Sequence, residues 1–137
     1  MTVRVELVAP DGEVWSGRAR MVIAKTLDGD LGILTGHPPV LGILAEGSLI
    51  RILDTEEETG SQKEMRAAVS SGFLAVRDDR VSILARQAQI GSQVDTAATQ
   101  TQLEAALAAA EGQSPGEPEP AEVKYNRALL RAAGDQS

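Results

Sequence analysis

The 137-residue chain contains no cysteine, one histidine (His37) and three aromatic residues, Trp15, Phe73 and Tyr125. Without cysteine there is no disulfide framework, no thiolate metal site and no cysteine nucleophile. One histidine excludes a multi-histidine metal site within a single chain, although carboxylates remain available to hard cations. The scarcity of aromatics argues against base-stacking platforms for single-stranded nucleic acid. The net charge of −7 argues against a binder of the phosphate backbone, so nucleic acid is not an expected partner. Long apolar runs are missing too: the longest, residues 40–45, is far too short to span a bilayer. Residues 1–13 carry Arg4, Glu6, Asp11 and Glu13 and lack the apolar core of a signal peptide. The absences lead to the expectation of a soluble, intracellular, weakly acidic protein, built as one domain or as a small domain with an appendage.

The composition that is present changes near Gly91. Before it, β-branched residues, leucines and glycines alternate with charges; after it, alanine, glutamine and threonine dominate. The first part reads as strands. Val3, Val5 and Leu7 alternate with Arg4 and Glu6, the period-2 pattern of a strand buried on one face. Pro10-Asp11-Gly12 follows as a turn. Further strands are expected over 13–19, with Gly17 as a bulge, and over 20–25, 31–34, 40–44, 49–53, 65–70, 73–77 and 81–85. The stretch 54–62, with Glu56-Glu57-Glu58, reads as a solvated hairpin tip, and Asp78-Asp79 suits a tight hairpin. So many short strands indicate a sandwich or a barrel.

The second part reads as two helices. Asp95 or Thr96 caps the first, which runs to about Glu111. The glycines and prolines of residues 112–120 make a loop. A second helix covers about 121–133, with Gly134 as its stop. Leu103 and Leu107 are the only large apolar residues of the first helix, so the hairpin is poorly equipped to stand alone. It is expected to dock on the sandwich or on a partner, either permanently or conditionally. Lys124, Arg127 and Arg131 fall at i, i+3 and i+7 and share one face of the second helix. Such a stripe on an acidic chain suits an acidic docking partner; alternatively it complements the helix C-terminus.

Reactive constellations are few. There is no Gly-x-x-x-x-Gly-Lys-Ser/Thr loop and no Gly-x-Gly-x-x-Gly after a strand. Ser70-Ser71-Gly72 lacks the preceding glycine of a nucleophile elbow. Asp28, Asp30 and His37 lie close in sequence, which allows an acid–base site or, more simply, a contact loop. The run from Asp28 to Leu41 holds three glycines and two prolines between Leu31, Ile33, Leu34, Val40 and Leu41. That composition points to a rigid surface loop anchored on the core.

The run Gly29-Asp30-Leu31-Gly32-Ile33-Leu34-Thr35-Gly36-His37-Pro38-Pro39-Val40-Leu41 resembles the signature of the epsilon subunit of F-type ATP synthase, approximately Gly-Glu-Leu-Gly-Ile-Leu-Pro-Gly-His-Ala-Pro-Leu-Leu. Asp30 replaces the usual glutamate and Thr35 the frequent proline. Val5-Glu6-Leu7-Val8-Ala9-Pro10, Ser16-Gly17 with Met21-Val22-Ile23, Ser71-Gly72-Phe73-Leu74-Ala75-Val76 and Val81-Ser82-Ile83-Leu84-Ala85 resemble further strands of the family, in order, over about residues 3–86.

The resemblance implies an all-β N-terminal sandwich of about ten strands over residues 1–88, followed by a C-terminal α-helical hairpin over residues 89–137. It implies a non-catalytic rotor subunit that couples c-ring rotation to ATP synthesis and restrains ATP hydrolysis through its helices. The implied partners are the gamma subunit, the c-ring and, through the second helix, a catalytic beta subunit. Membrane contact is then only indirect, at the cytoplasmic face of the bacterial plasma membrane. Asp30 and His37 fall on the loop that faces the c-ring, and Lys124, Arg127 and Arg131 become latches to the catalytic head. Some family members bind ATP through Ile/Leu-Asp-x-x-Arg-Ala. The matching run here, Val94-Asp95-Thr96-Ala97-Ala98-Thr99, lacks the arginine, so no cofactor is expected. Asp95, with Arg127 and Arg131, is what remains of an ATP-sensing site, and Asp95 equally suits an N-cap. A free β-sandwich binding module is the remoter alternative.

Overall fold

The computed structural model describes residues 1–55, 64–112 and 116–134. The hairpin tip expected over 54–62 falls outside the described residues from 56 on, as do residues 113–115 of the interhelical loop. The described strands are β1 (Val3–Ala9), β2 (Gly12–Ala19), β3 (Met21–Thr26), β4 (Gly29–Ile33), β5 (Val40–Leu44), β6 (Ser48–Leu53), β7 (Met65–Arg77) and β8 (Arg80–Ile90). Two helices follow, α1 (Thr96–Ala109) and α2 (Ala121–Ala133).

The strands run in the order β2-β1-β8-β7-β5-β3-β4, and β6 bridges β3 and β7. All pairings are antiparallel except β1 with β8. β7 serves both layers of the sandwich: residues 65–69 pair with β6 and residues 72–76 with β5. The core between the layers takes alternate residues from each strand, including Val3, Val5, Leu7, Val22, Ile33, Ile50, Ile52, Val69, Leu74, Val81 and Ile83. This is the one-face burial that period-2 alternation encodes. No aromatic residue is fully buried in it; Trp15 packs at its margin.

Eight strands are described, one fewer than the nine expected from the residues, because two of those, 65–70 and 73–77, form one strand. The join is the irregular Ser71-Gly72, with φ of 29° at Ser71 and 154° at Gly72. A Cβ on Gly72 would collide with the backbone of Leu84 and Ala85, so glycine is required where β7 crosses β8. The expected bulge at Gly17 is displaced. Gly17 pairs regularly with Val5, and the register of β1 and β2 slips between Leu7 and Val8, leaving Val14 as the extra residue. Gly17 instead makes room for Trp15, whose ring would lie 2.8 Å from a Cβ there. Arg20 falls outside β3. At Asp78-Asp79 both φ angles are positive, 51° and 60°, as the two-residue hairpin between Arg77 and Arg80 requires.

Asp95 caps α1: its Oδ1 accepts the Ala98 N–H at 3.0 Å. α1 stops at Ala109 rather than Glu111, since the last turn tightens to a 3-10 turn over Ala110–Gly112. α2 has the expected limits, with Gly134 at its C-terminus. The hairpin is folded back. α2 lies on β6 and β7, and α1 packs chiefly on α2. Ala128, Leu129 and Ala132 bury against Ala68, with Leu49, Val94 and Tyr125 around them. On another side of α2, Val123 and Leu130 meet Leu103 and Ala106 of α1.

Two glycines admit α2 to this seat. A Cβ on Gly47 would overlap the backbone of Lys124, and one on Gly91 would overlap the carbonyl of Ala132. Gly91→Ala is therefore expected to unseat the C-terminal half of α2 and destabilise the chain by about 1–3 kcal/mol, the usual range for overpacking. Amide hydrogen exchange should rise across α2 while β1 and β8 stay protected; unchanged exchange in α2 contradicts the seating.

Candidate functional site

Asp28 and Asp30 are exposed beside the β3–β4 turn, where Asp30 pairs in register with Lys25. His37 stands past the far end of β4, which at about 3.3 Å per residue is more than 10 Å along the strand. Its Nδ1 lies 2.7 Å from the Pro38 carbonyl, which accepts from it, so the ring proton resides on Nδ1. The structure therefore does not gather Asp28, Asp30 and His37. No group of three histidine or acidic side chains suited to a metal ion occurs among the described residues.

The signature segment is an edge and a pinned loop. β4 is the last strand of the sheet, so its outer edge is unpaired. The loop after it is fixed by the Gly36 N–H, which donates to Asp79 Oδ1 at 2.7 Å, and by the His37 N–H, which donates to the Leu34 carbonyl. Thr35, in place of the frequent proline, buries a hydroxyl that has no hydrogen-bond partner among the described residues. The loop is thus rigid at its base while Leu34, Pro38 and Pro39 face outward.

The three basic residues of α2 do come together. Lys124, Arg127 and Arg131 line a cleft between α2 and the β5–β6 turn, with Lys25, Glu46, Gly47 and Glu119. Lys124 is half-buried, whereas Arg127 and Arg131 are exposed. Their restraints are light: Arg127 pairs with Glu119, and Arg131 Nη2 donates to the Gly47 carbonyl at 3.5 Å. Partly exposed pairs of this kind contribute on the order of 0–1 kcal/mol each. Asp95 is occupied in capping α1, and Ala98 supplies no cation beside it.

Two groups bear on how firmly the hairpin sits. Asn126 is 3% exposed; its Nδ2 donates to the Glu122 carbonyl at 2.8 Å, and its Oδ1 has no partner among the described residues. An unmet buried acceptor costs about 1–3 kcal/mol. Against it stand Leu103, Val123 and Leu130, each able to contribute about 1.5–3 kcal/mol when fully buried. Below the hairpin, Arg51 and Arg66 both donate to Glu64, at 2.8–3.0 Å, and Arg66 reaches the Arg131 carbonyl at the end of α2. The Arg51 hydrogen bond holds the Glu64 carboxyl below the usual glutamate range, assisted by Arg66. Burial pushes the Tyr125 hydroxyl up.

One feature was not singled out from the sequence. Val8, Leu84, Phe73 and Ile43 are directly opposed on the neighbouring strands β1, β8, β7 and β5. They form an apolar row on the outward face away from α2, and Ile43, Phe73 and Leu84 are each about half exposed. With Pro10 and Ala85 they line a groove of about 540 Å³. Strand alternation already points Phe73 and Leu84 outward; the order of the strands is what joins them.

Comparison with known proteins places this arrangement. Residues 2–91 match the family model described as "ATP synthase, Delta/Epsilon chain, beta-sandwich domain", about two-thirds of the chain. The fold is shared with a solved synthase chain: this chain superposes with a TM-score of 0.66, at 22% identity, on a chain of the Euglena gracilis mitochondrial ATP synthase, covering 91% of this chain and 76% of that one. It is also 46% identical over 131 residues to the ATP synthase epsilon chain of Thermobifida fusca, covering 94% of this chain and 90% of that one. The epsilon chain of Frankia casuarinae is 49% identical over 90 residues, 66% of this chain but 99% of the relative. The chain belongs to the ATP synthase epsilon chain family.

Two outcomes follow from the hairpin geometry. Asn126→Leu is expected to raise protection of α1 and α2 against hydrogen exchange by about 1 kcal/mol, because it removes the unmet acceptor; weaker protection contradicts this. Glu64 has a folded pKa below its unfolded one, so its stabilising contribution is complete above the ordinary glutamate range and is lost as pH falls through the depressed folded value. Glu64→Gln should flatten the acid side of a melting-temperature profile, and an unaltered profile contradicts the assignment.

Proposed function

We propose that the chain is a non-catalytic rotor subunit in the central stalk of a proton-translocating F-type ATP synthase. It couples c-ring rotation to ATP synthesis and restrains ATP hydrolysis through its C-terminal helices. The observation that carries this reading is the 46% identity to an ATP synthase epsilon chain across both sandwich and hairpin. The reading gives the chain no chemistry and no cofactor of its own. Its working parts are surfaces and a movable arm, located at the cytoplasmic face of the bacterial plasma membrane and reaching the bilayer only through the c-ring.

Each surface then has an occupant. The outward apolar row of Val8, Leu84, Phe73 and Ile43 suits the gamma subunit, since about half-exposed large side chains in one continuous row mark a protein interface. The unpaired β4 edge, flanked by Asp30 and His37, suits the c-ring; one surface lying along that strand meets both residues. The hairpin, residues 89–137 in this division, works as a unit separate from the sandwich of residues 1–88. Support comes from the Frankia relative, which an alignment of sandwich length covers almost in full; β8 runs to Ile90, two residues past that boundary. Once α2 leaves its seat, Lys124, Arg127 and Arg131 are free to meet an acidic stretch on a catalytic beta subunit. In the folded hairpin, among the described residues, Arg127 pairs with Glu119 and Arg131 donates to the Gly47 carbonyl.

Two measurements test this. The full chain should co-purify with the gamma subunit at low and moderate salt, and failure to do so at either removes the rotor assignment. Replacing Lys124, Arg127 and Arg131 together by alanine should raise ATP hydrolysis by the assembled enzyme about two- to tenfold, given the modest worth of each exposed pair. Unchanged hydrolysis removes the latch and leaves coupling intact.

A further inference from the structure

Four arginines stand in one row on the outward face of the sandwich. Arg18 opposes Arg4 across β2 and β1, Arg4 opposes Arg80 across β1 and β8, and Arg80 opposes Arg77 across β8 and β7. Directly opposed residues share a face. Here the alternation proves it outward, because the intervening Val3, Val5, Val76 and Val81 are all in the core. All four arginines are exposed. Neighbouring strands lie about 4.8 Å apart, so the row extends about 14 Å.

Like charges set directly opposite each other destabilise a sheet, and little in the chain relieves them. The carboxylates that face the row are Glu6, Asp78 and Asp79. Asp78 lies 3.6 Å from Arg77 with both side chains largely exposed. Asp79 is occupied by the Gly36 N–H. Glu6 sits two residues along β1 from Arg4, about 7 Å away. Among the described residues Arg18 donates to the Thr2 hydroxyl, at 3.4 Å. Arg4 and Arg80 have no ion pair among the described residues. On a chain of net charge −7, a row of four guanidinium groups holding one exposed ion pair, Arg77 with Asp78, is largely uncompensated.

The row continues the apolar one. Arg80 and Leu84 are four residues apart on β8, about 13 Å, as are Arg77 and Phe73 on β7 and Arg4 and Val8 on β1. Between them lies a row of mostly small side chains, Ser16, Glu6, Ser82, Ala75 and Leu41. One partner surface lying flat on this face therefore covers both rows. We propose that the arginine row Arg18, Arg4, Arg80 and Arg77 is the electrostatic half of this docking face and takes an acidic protein segment of the same partner that covers Phe73 and Leu84. The proposal rests on the reading of that partner as the gamma subunit. Guanidinium groups bind carboxylates in bidentate fashion. Carboxylates one helical turn apart, about 5–6 Å, match the spacing of the row. The apolar half favours a protein over a lipid surface, because it lines a groove that receives a side chain rather than a ridge that inserts into a bilayer.

The test titrates the gamma subunit of the same synthase into the full chain, the double variant R4Q/R80Q and the variant F73A, at low and moderate salt. R4Q/R80Q should bind about tenfold more weakly at low salt and with a shallower salt dependence, as removal of interfacial charges predicts. F73A should weaken binding without changing the salt dependence. The melting temperature of free R4Q/R80Q should stay level or rise, since a repulsion is removed; a fall assigns the arginines to folding and overturns the proposal. Unchanged affinity and salt dependence in R4Q/R80Q overturn it while leaving the gamma reading in place. No binding by the unaltered chain overturns both. A parallel arm uses phosphatidylglycerol vesicles. If R4Q/R80Q loses vesicle binding and keeps gamma binding, the row serves anionic lipid and the proposal falls.

Discussion

The seat of α2 is the contact on which the rest of the molecule's behaviour depends. The helix backbone reaches the sandwich at Gly47 and Gly91, the two places where a side chain would block it. That approach brings Ala128, Leu129 and Ala132 onto Ala68, and it turns Lys124, Arg127 and Arg131 toward the β5–β6 turn. Small residues allow the close fit but bury little area, so the seat is close-packed without being strongly held. Asn126, with its unmet oxygen, weakens it further. The second position proposed for this arm then needs only modest competing contacts.

The sandwich provides the contrast. Its core is drawn from every layer by aliphatic side chains alone, and β7 ties the two layers together by pairing with β6 and then β5. Its irregular points, Ser71-Gly72 and the Asp78-Asp79 turn, shape the strand ends rather than a pocket. The three exposed surfaces differ in kind: an unpaired strand edge at β4, an apolar and basic sheet face, and a cationic helix stripe. A part that transmits torque between other proteins needs such surfaces and has no need of the thiols, histidines and aromatics that the chain lacks or nearly lacks.

Much of this was legible in the sequence where the code is local. Alternation in residues 3–7 marked the core face of β1, Asp95 marked the start of α1, and Gly134 the end of α2. Asp78-Asp79 between two short runs specified a hairpin. The signature run identified the family before any geometry. What could not be read was set by contacts between distant segments. β7 reads as two strands because Ser71-Gly72 looks like a break, and only the crossing over Leu84 shows why a glycine there continues the strand. Gly17 is a local exception: it reads as a bulge because the sequence does not show that the Trp15 ring lies over it. The apolar and arginine rows need the parallel pairing of β1 with β8, which joins the first strand to the last. Asp30 and His37 are close in sequence yet separated by the length of β4, which counts against a shared chemical site.

The proposed docking face of this rotor subunit is the outward face of β1, β8, β7 and β5. The absence of cysteine makes that claim directly measurable. Ala75 lies between the apolar and arginine rows, so Ala75→Cys places a single thiol at the centre of the face with little change in volume. Maleimide labelling of this variant, free and in the assembled synthase, is the decisive comparison. The free chain should label readily, and the complex should be strongly protected. Equal labelling rates in the two states would contradict the proposed docking face.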